Sequence, residues 1–240
     1  IKHANPCGVA LAKNQAKAYQ GALECDKTSA FGGIVALNKT VEAETAELIL
    51  QTFTEVLIAP DATKEAVQIL KRSKNLRILL TGGLEKKNIN FLTWKKVNGG
   101  MLVQENDCGF LTPADVKVVT KRSPNNKELE DLMFAWKVAK HIKSNAIVFA
   151  KNRLTIGIGA GQMSRVDSAR IAVQKSKDMI KLLNLESTFK SNFVVASDAF
   201  FPFGDGIIEA VDAGAKAIIQ PGGSITDQEG TQAADCAGIA

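Results

Sequence analysis

Lys2 and His3 stand side by side at the head of Lys2-His3-Ala4-Asn5-Pro6-Cys7-Gly8. An ammonium next to an imidazole suits a reaction that must accept a proton and steady negative charge developing nearby. In an extended strand the two side chains would point to opposite faces, but the Asn-Pro that follows is helix-averse and marks a turn, which can bend both toward one pocket. The dipeptide reads first as two exposed side chains at a ragged end, and on its own leaves both readings open.

Three further turns carry residues fit for binding. In Gly157-Ile158-Gly159-Ala160-Gly161-Gln162-Met163-Ser164-Arg165, Gln162 occupies the place where a dinucleotide fingerprint needs its third glycine. The glycines then predict a close backbone approach to a ligand or another strand, and Arg165, just inside a helix start, suits an anion or a planar ligand. Ser29-Ala30-Phe31-Gly32-Gly33 and Gln220 to Asp227 read as glycine turns of the same kind. The run Ser197-Asp198-Ala199-Phe200-Phe201-Pro202-Phe203-Gly204-Asp205-Gly206 sets three rings around a proline. Phe201 is assigned to the core, but the loop cannot bury every ring in one direction, so at least one is expected to face a pocket.

The elements that must hold these turns follow from periodicity. Ala46, Ile49, Leu50 and Phe53 share a helical face, and residues 56–59 form a short strand ended by Pro60. Asp61 is expected to cap a helix carrying Ala66, Ile69 and Leu70, with a strand at 76–80 before Thr81-Gly82-Gly83. Residues 84–124 are irregular, with strand and turn at 98–109. A helix spans 126–142 with Leu129, Leu132, Met133, Trp136 and Ala139 on one face, followed by a hairpin around Lys151-Asn152-Arg153. Ser164 with Asp167 caps a helix carrying Val166, Ala169, Ala172 and Val173. Residues 193–197 are a strand. Asp205 starts a helix with Ile207, Ile208 and Val211 inward and Gly214 as its stop; 215–220 are a strand, and Thr226 with Glu229 caps a last helix. Strands alternating with helices imply a three-layer α/β arrangement, in two similar subdomains meeting near residue 120.

Bulk properties narrow the function classes. The chain has 240 residues, 45% apolar and 23% charged, and its net charge of +5 is spread along its length with 6% aromatics. A nucleic-acid surface would cluster its basic residues and interleave rings, whereas anionic small molecules suit this distribution. No apolar run reaches membrane-spanning length, and no signal pattern stands at the N-terminus, so a cytoplasmic protein is expected. Cys7, Cys25, Cys108 and Cys236 are too scattered for a zinc motif and read as reduced thiols. A start on Ile1 and an end on Gly-Ile-Ala read as a piece of something longer.

Taken together, residues 2–10, 28–38, 56–60, 97–104, 118–122, 136–152, 155–172, 197–203 and 220–225 closely resemble, in order, the 5-aminoimidazole-4-carboxamide ribonucleotide (AICAR) formyltransferase domain of bacterial bifunctional purine-biosynthesis enzymes. The resemblance implies two lobes with cytidine-deaminase-like topology but without zinc, and a homodimer with active sites at the interface. It implies transfer of a formyl group from 10-formyltetrahydrofolate to the 5-amino group of AICAR. By the same resemblance Lys2, His3 and Asn145 are the catalytic set, with His3 taking the amine proton, Lys2 steadying the oxyanion or protonating the departing folate nitrogen, and Asn145 orienting the carboxamide or formyl oxygen. Gly32, Glu55 and Phe200 match AICAR-contacting positions. Arg165, Val166, Pro202, Asp205, Ser224 and Ile225 match folate-contacting ones.

Departures from the family pattern accompany the match. Gly204 stands where relatives often carry arginine or proline, and Gly230 places a glycine inside the last helix, at a cost of about 1 kcal/mol of helix stability. The family's phosphate-binding end would follow Ala240, and its Arg-Tyr-Gly motif and cyclohydrolase domain would precede Ile1. The alternative implied is a catalytically silent remnant that binds folate or dimerises only.

Overall fold

The computed structural model describes residues 1–84, 92–184 and 192–240. Helices α1 (Gln15–Cys25) and α2 (Lys27–Ala30) lead into strand β1 (Gly33–Ala36). Helix α3 (Ala43–Leu50) connects it to β2 (Thr54–Ala59), and α4 (Lys64–Leu70) connects β2 to β3 (Arg77–Leu80). The three strands are parallel, in the order β1-β2-β3. Tyr19, Ala46, Ile49, Ala66 and Leu70 from the helices close on Leu57 and Ala59 of β2. Positions on the other face of the sheet are less covered: Ile34, Val56 and Ile58 are half-buried, and Leu79, in register with Ile58, is exposed.

Two local expectations shift here. Phe53 lies past the end of α3 and is exposed, its ring 5.3 Å from that of Phe31, because the helix stops at Leu50. The cap of α4 is Thr63, whose hydroxyl accepts from Ala66 N–H; Asp61 spends its carboxylate on the adjacent Ala62 N–H instead.

Strands β4 (Leu92–Val97) and β5 (Gly100–Glu105) form an antiparallel hairpin around Asn98-Gly99, with Gly99 at φ 78° as that turn requires. The strand and turn expected at 98–109 are thus half of a hairpin. A single 3-10 turn, Pro113–Asp115, follows.

The second sheet is better covered. Helix α5 (Asn126–Ala139) precedes β6 (Ile147–Lys151) and β7 (Leu154–Gly159); then come α6 (Arg165–Leu182), β8 (Phe193–Ser197), α7 (Asp205–Asp212), β9 (Ala215–Ile219) and α8 (Asp227–Cys236). The order is β7-β6-β8-β9, with only β8 and β9 parallel. Ile147 and Phe149 face α6 and α7, and Val148 and Ala150 face α5, so every residue of this apolar run is buried. That requires cover on both faces. Asn152 and Arg153 turn the β6–β7 hairpin at φ 55° and 58°, and the buried Asp131 carboxylate accepts both of their N–H groups, at 2.8 and 2.7 Å.

The chain's beginning is stitched to this second sheet. Leu11 N–H donates to Arg153 C=O, Val9 N–H to Thr155 Oγ1, and Thr155 N–H back to Val9 C=O. Lys175 of α6 reaches Asp26, 2.7 Å away, at the start of α2. Residues on both sides of position 120 therefore share one set of contacts. Among the described residues no helix is long and apolar enough to cross a membrane, and no group of three or more His, Cys, Asp or Glu side chains could hold a metal ion. All four cysteines are free thiols, and burial pushes Cys25 up to about 12.

Candidate active site

One edge of the second sheet gathers most of the residues marked by sequence. Because β6 runs antiparallel to both β7 and β8, the start of β6 lies beside the ends of β7, β8 and β9. Asn145 precedes β6, Gln162 to Arg165 follow β7, Asp198 to Asp205 follow β8, and Gln220 to Thr226 follow β9. The glycine turns at 157–165 and 220–227 thus leave strand ends, as expected for ligand-binding loops. Phe31-Gly32-Gly33 enters β1 instead of leaving it, so that turn lies at the opposite end of its strand from the one expected.

The Lys2–His3 turn is real and tight. Lys2 N–H donates to Asn5 C=O at 2.9 Å and Asn5 N–H to Lys2 C=O at 3.1 Å, with His3 at φ 51°. His3 is exposed at its tip. The Lys2 ammonium donates to the carbonyls of Phe31 (2.7 Å) and Gly32 (3.3 Å), which leaves one of its three N–H groups over. A Cβ at Gly32 would only touch Nζ, 3.4 Å away, but the φ of 66° favours glycine there. Asn5 Oδ1 accepts Lys143 N–H at 2.8 Å, tying the turn to the segment that carries Asn145. Sequence reasoning passed over Asn5 as a turn former; nothing local marks its long-range bond. Glu55 is exposed at the start of β2, one residue from Thr54, the partner of Gly33.

Arg165 is not a surface cation. Its side chain is only 8% exposed and sits 2.5 Å from Asp198; it also donates to Ser197 Oγ and Asn145 Oδ1, each at 2.8 Å. Asn145 in turn donates through Nδ2 to Gln162 C=O (2.8 Å) and Met163 C=O (3.1 Å). Burial by itself would raise the Asp198 carboxyl, but hydrogen bonds from Ser144, Arg165 and Ala146 N–H outweigh it and hold it below the ordinary carboxylate range. Val166, expected inside its helix, is half-buried, because α6 turns Arg165 inward in its place. Asp198 and Ser197 were absent from the sequence-based site. Gly159 makes its close approach to helix α6: a Cβ there would lie 1.9 Å from Ser168 O.

The aromatic loop divides as its composition suggests. Phe201 is buried, whereas Phe200, Pro202, Phe203 and Asp205 are exposed. Its backbone is anchored twice, by Phe201 N–H donating to Gln220 Oε1 (2.7 Å) and by Thr226 Oγ1 donating to Pro202 C=O (2.6 Å). The second bond ties Pro202 to the 224–226 turn, whose Ile225 is fully exposed. Thr226 does not cap α8 with its side chain; Asp227 reaches back to the N–H groups of Gly223 and Ser224 instead. Ile208 points outward, while Gly206, Ile207 and Ala210 are the buried positions of α7. A shallow depression of 460 Å³ lined by Asn38, Lys39, Thr40, Glu42, Pro60 and Leu84 lies at the far end of β1 and β2 and contains none of these residues.

Comparison with known proteins fixes the lineage. The family model described as the AICARFT/IMPCHase bienzyme matches residues 1–175. The chain belongs to the AICARFT/IMPCHase family. The bifunctional purine biosynthesis protein PurH of Agrobacterium fabrum is 56% identical over 235 residues, 98% of this chain and 44% of that protein. The PurH proteins of Paracoccus denitrificans and Brucella ovis are 57% and 58% identical over 240 residues, all of this chain and 45% of each. The chain therefore spans less than half the length of these relatives. The AICARFT/IMPCHase match includes the Lys2–His3 turn, Asn145 and Arg165 but ends before the aromatic loop, which only the full-length relatives cover.

Proposed function

We propose that the chain carries the formyl-transfer half-site of a purine-biosynthesis enzyme, moving the formyl group of 10-formyltetrahydrofolate onto the 5-amino group of AICAR. The observation that carries this reading is the joining of the Lys2–His3 turn to the Asn145 segment through Asn5 and Lys143. The amine lone pair attacks the formyl carbon. His3, exposed on the turn, takes the amine proton as the new C–N bond forms. The remaining Lys2 N–H supplies positive charge for the oxyanion or for the folate nitrogen as its bond to the formyl carbon breaks and it gains a proton.

Gly32, Glu55, Asn145 and Phe200 would receive AICAR, with the Phe200 ring against its flat heterocycle. Arg165, Val166, Pro202, Asp205, Ser224 and Ile225 would form the folate side. Asp205 is the natural partner for a pterin's amino and ring N–H groups, as an exposed carboxylate beside an exposed ring and proline. The two cytidine-deaminase-like lobes, divided near residue 120, and a homodimer with shared active sites belong to the same reading.

The test is to incubate the purified chain with both substrates and follow tetrahydrofolate release, with His3→Ala as control. Turnover above that control is expected. Folate binding without turnover would replace the reading with that of a binding remnant.

A further inference from the structure

We infer that Asp198 is a positioning residue, which acts through Arg165 to fix the Asn145 amide as a hydrogen-bond acceptor for a substrate N–H. Donors and acceptors fix the orientation of the amide. A guanidinium only donates, so the Asn145 atom 2.8 Å from Arg165 Nη2 must be its oxygen; backbone carbonyls only accept, so the atom facing Gln162 and Met163 must be its NH2. Both amide protons are thereby spent, and the one capacity left to Asn145 is the second lone pair of Oδ1. A formyl or carboxamide oxygen gains nothing from it, whereas the AICAR amine or carboxamide N–H does; the identity of that N–H rests on the function proposed above.

What holds the guanidinium in place is equally determined. The Ser197 hydroxyl gives its proton to Ala199 C=O at 2.7 Å, so it offers Arg165 only a lone pair. Asp198 Oδ1 is itself pinned by Ala146 N–H at 2.9 Å and faces Arg165 Nη1 at 2.5 Å. Asn145 is anchored from its backbone as well, its C=O accepting from Ser168 Oγ at 2.8 Å and Gly161 N–H at 3.1 Å. Of these contacts only the carboxylate supplies a countercharge, so without it the buried guanidinium has reason to turn toward water and release Oδ1.

The test uses the full chain as wild type, Asp198→Asn, Asn145→Ala and the double variant, with Ser197→Ala as a milder substitution should Asp198→Asn not fold. Two quantities are read: steady-state kinetics of formyl transfer, and solvent exchange of the Asn145 side-chain amide protons by NMR. Asp198→Asn is expected to lower kcat by about 10- to 100-fold with little change in KM, and Ser197→Ala in its place by a smaller factor. It should accelerate the amide exchange, and it should add no further loss in the Asn145→Ala background. Losses that multiply, or exchange that does not respond, would overturn the assignment. A wild type without formyl transfer would defeat the proposed function alone, and the exchange comparison would then decide this inference.

Discussion

The Lys2–His3 turn and the Asn145–Arg165–Asp198 cluster both belong to the candidate site, yet they are built in opposite ways. The turn is held by two backbone hydrogen bonds and two carbonyls around an ammonium, and its imidazole stands in solvent. In the cluster Arg165 and Ser197 are buried and Asn145 and Asp198 half-buried, and nearly every donor and acceptor has a protein partner. A group that must exchange protons works where water and substrate reach it, whereas a group that must present one lone pair in one direction works where its neighbours leave it no choice. Buried ion pairs add little net stability over apolar residues of the same shape. The cluster is therefore better explained by the orientation it imposes than by the stability it supplies.

The division predicts where substitutions act. His3→Ala should lower formyl transfer by about 10²- to 10⁴-fold and leave the denaturant midpoint almost unmoved, since the residue is exposed. A large loss of stability would show that the turn is as built-in as the cluster. Arg165→Met should do the reverse first: it strands the partly buried Asp198 carboxylate, and urea unfolding should register a loss of about 3–5 kcal/mol, with activity falling as a consequence. An Arg165→Met protein of wild-type stability would mean that the ion pair is not shielded as the geometry requires.

The aromatic loop offers a smaller version of the same contrast. A Cβ on Gly206 would lie 2.7 and 2.8 Å from two atoms of the buried Phe201 ring, whereas one on Gly204 would make only ordinary contacts, with Ala233 Cβ at 3.5 Å and Glu229 O at 4.0 Å. Gly206→Ala should destabilise, the overpacking of about 1–3 kcal/mol outweighing the helix gain of about 1 kcal/mol. Gly204→Ala should stabilise by about 0.4–1 kcal/mol, which thermal unfolding can resolve. Equal shifts would erase the distinction between the packed and open sides of the loop. Gly230 follows the packed pattern too: a Cβ there would press Ile207 Cδ1 at 3.0 Å. Its helix cost therefore accompanies a close α7–α8 contact that sequence alone did not suggest.

Legibility in the sequence tracked this division. Apolar periodicity located α3, β2, β3, α5, β6 to β9 and the turns between them, because those patterns are local and repeat. The Lys2–His3 turn was legible because Asn5-Pro6 marks it within four residues. Asp198 was invisible: its partners Arg165 and Ala146 lie 33 and 52 residues away, and a single aspartate after a strand has no period to reveal it. Arg165 was found, but its burial against Asp198 was not, since a charged residue at a helix start is usually solvated. The cap of α4 was missed where Asp61 and Thr63 competed, because either side chain suits such a position and tertiary contacts choose, while Thr226 holds the N-cap position of α8 without a side-chain bond.

Acid titration probes the division most gently. Asp198 and Asp26 are both partly buried, which alone would raise their pKa values, and in both the hydrogen bonds win: Ser144, Arg165 and Ala146 for Asp198, Lys175 and Ser29 for Asp26. A carboxyl whose folded pKa lies below its unfolded value of about 3.9 stabilises the fold fully above that value. The contribution disappears as pH falls through the folded pKa. Wild-type stability from urea unfolding should therefore decline as pH drops below about 4. Asp198→Asn, which cannot titrate, should start less stable near neutrality and decline less steeply, so that the two curves converge in acid. Lys175→Met should flatten the same limb through Asp26, whose carboxylate would lose its 2.7 Å partner. Curves that stay parallel down to the acid transition would mean that neither carboxylate differs between folded and unfolded chain, and that the cluster is as open to water as the turn.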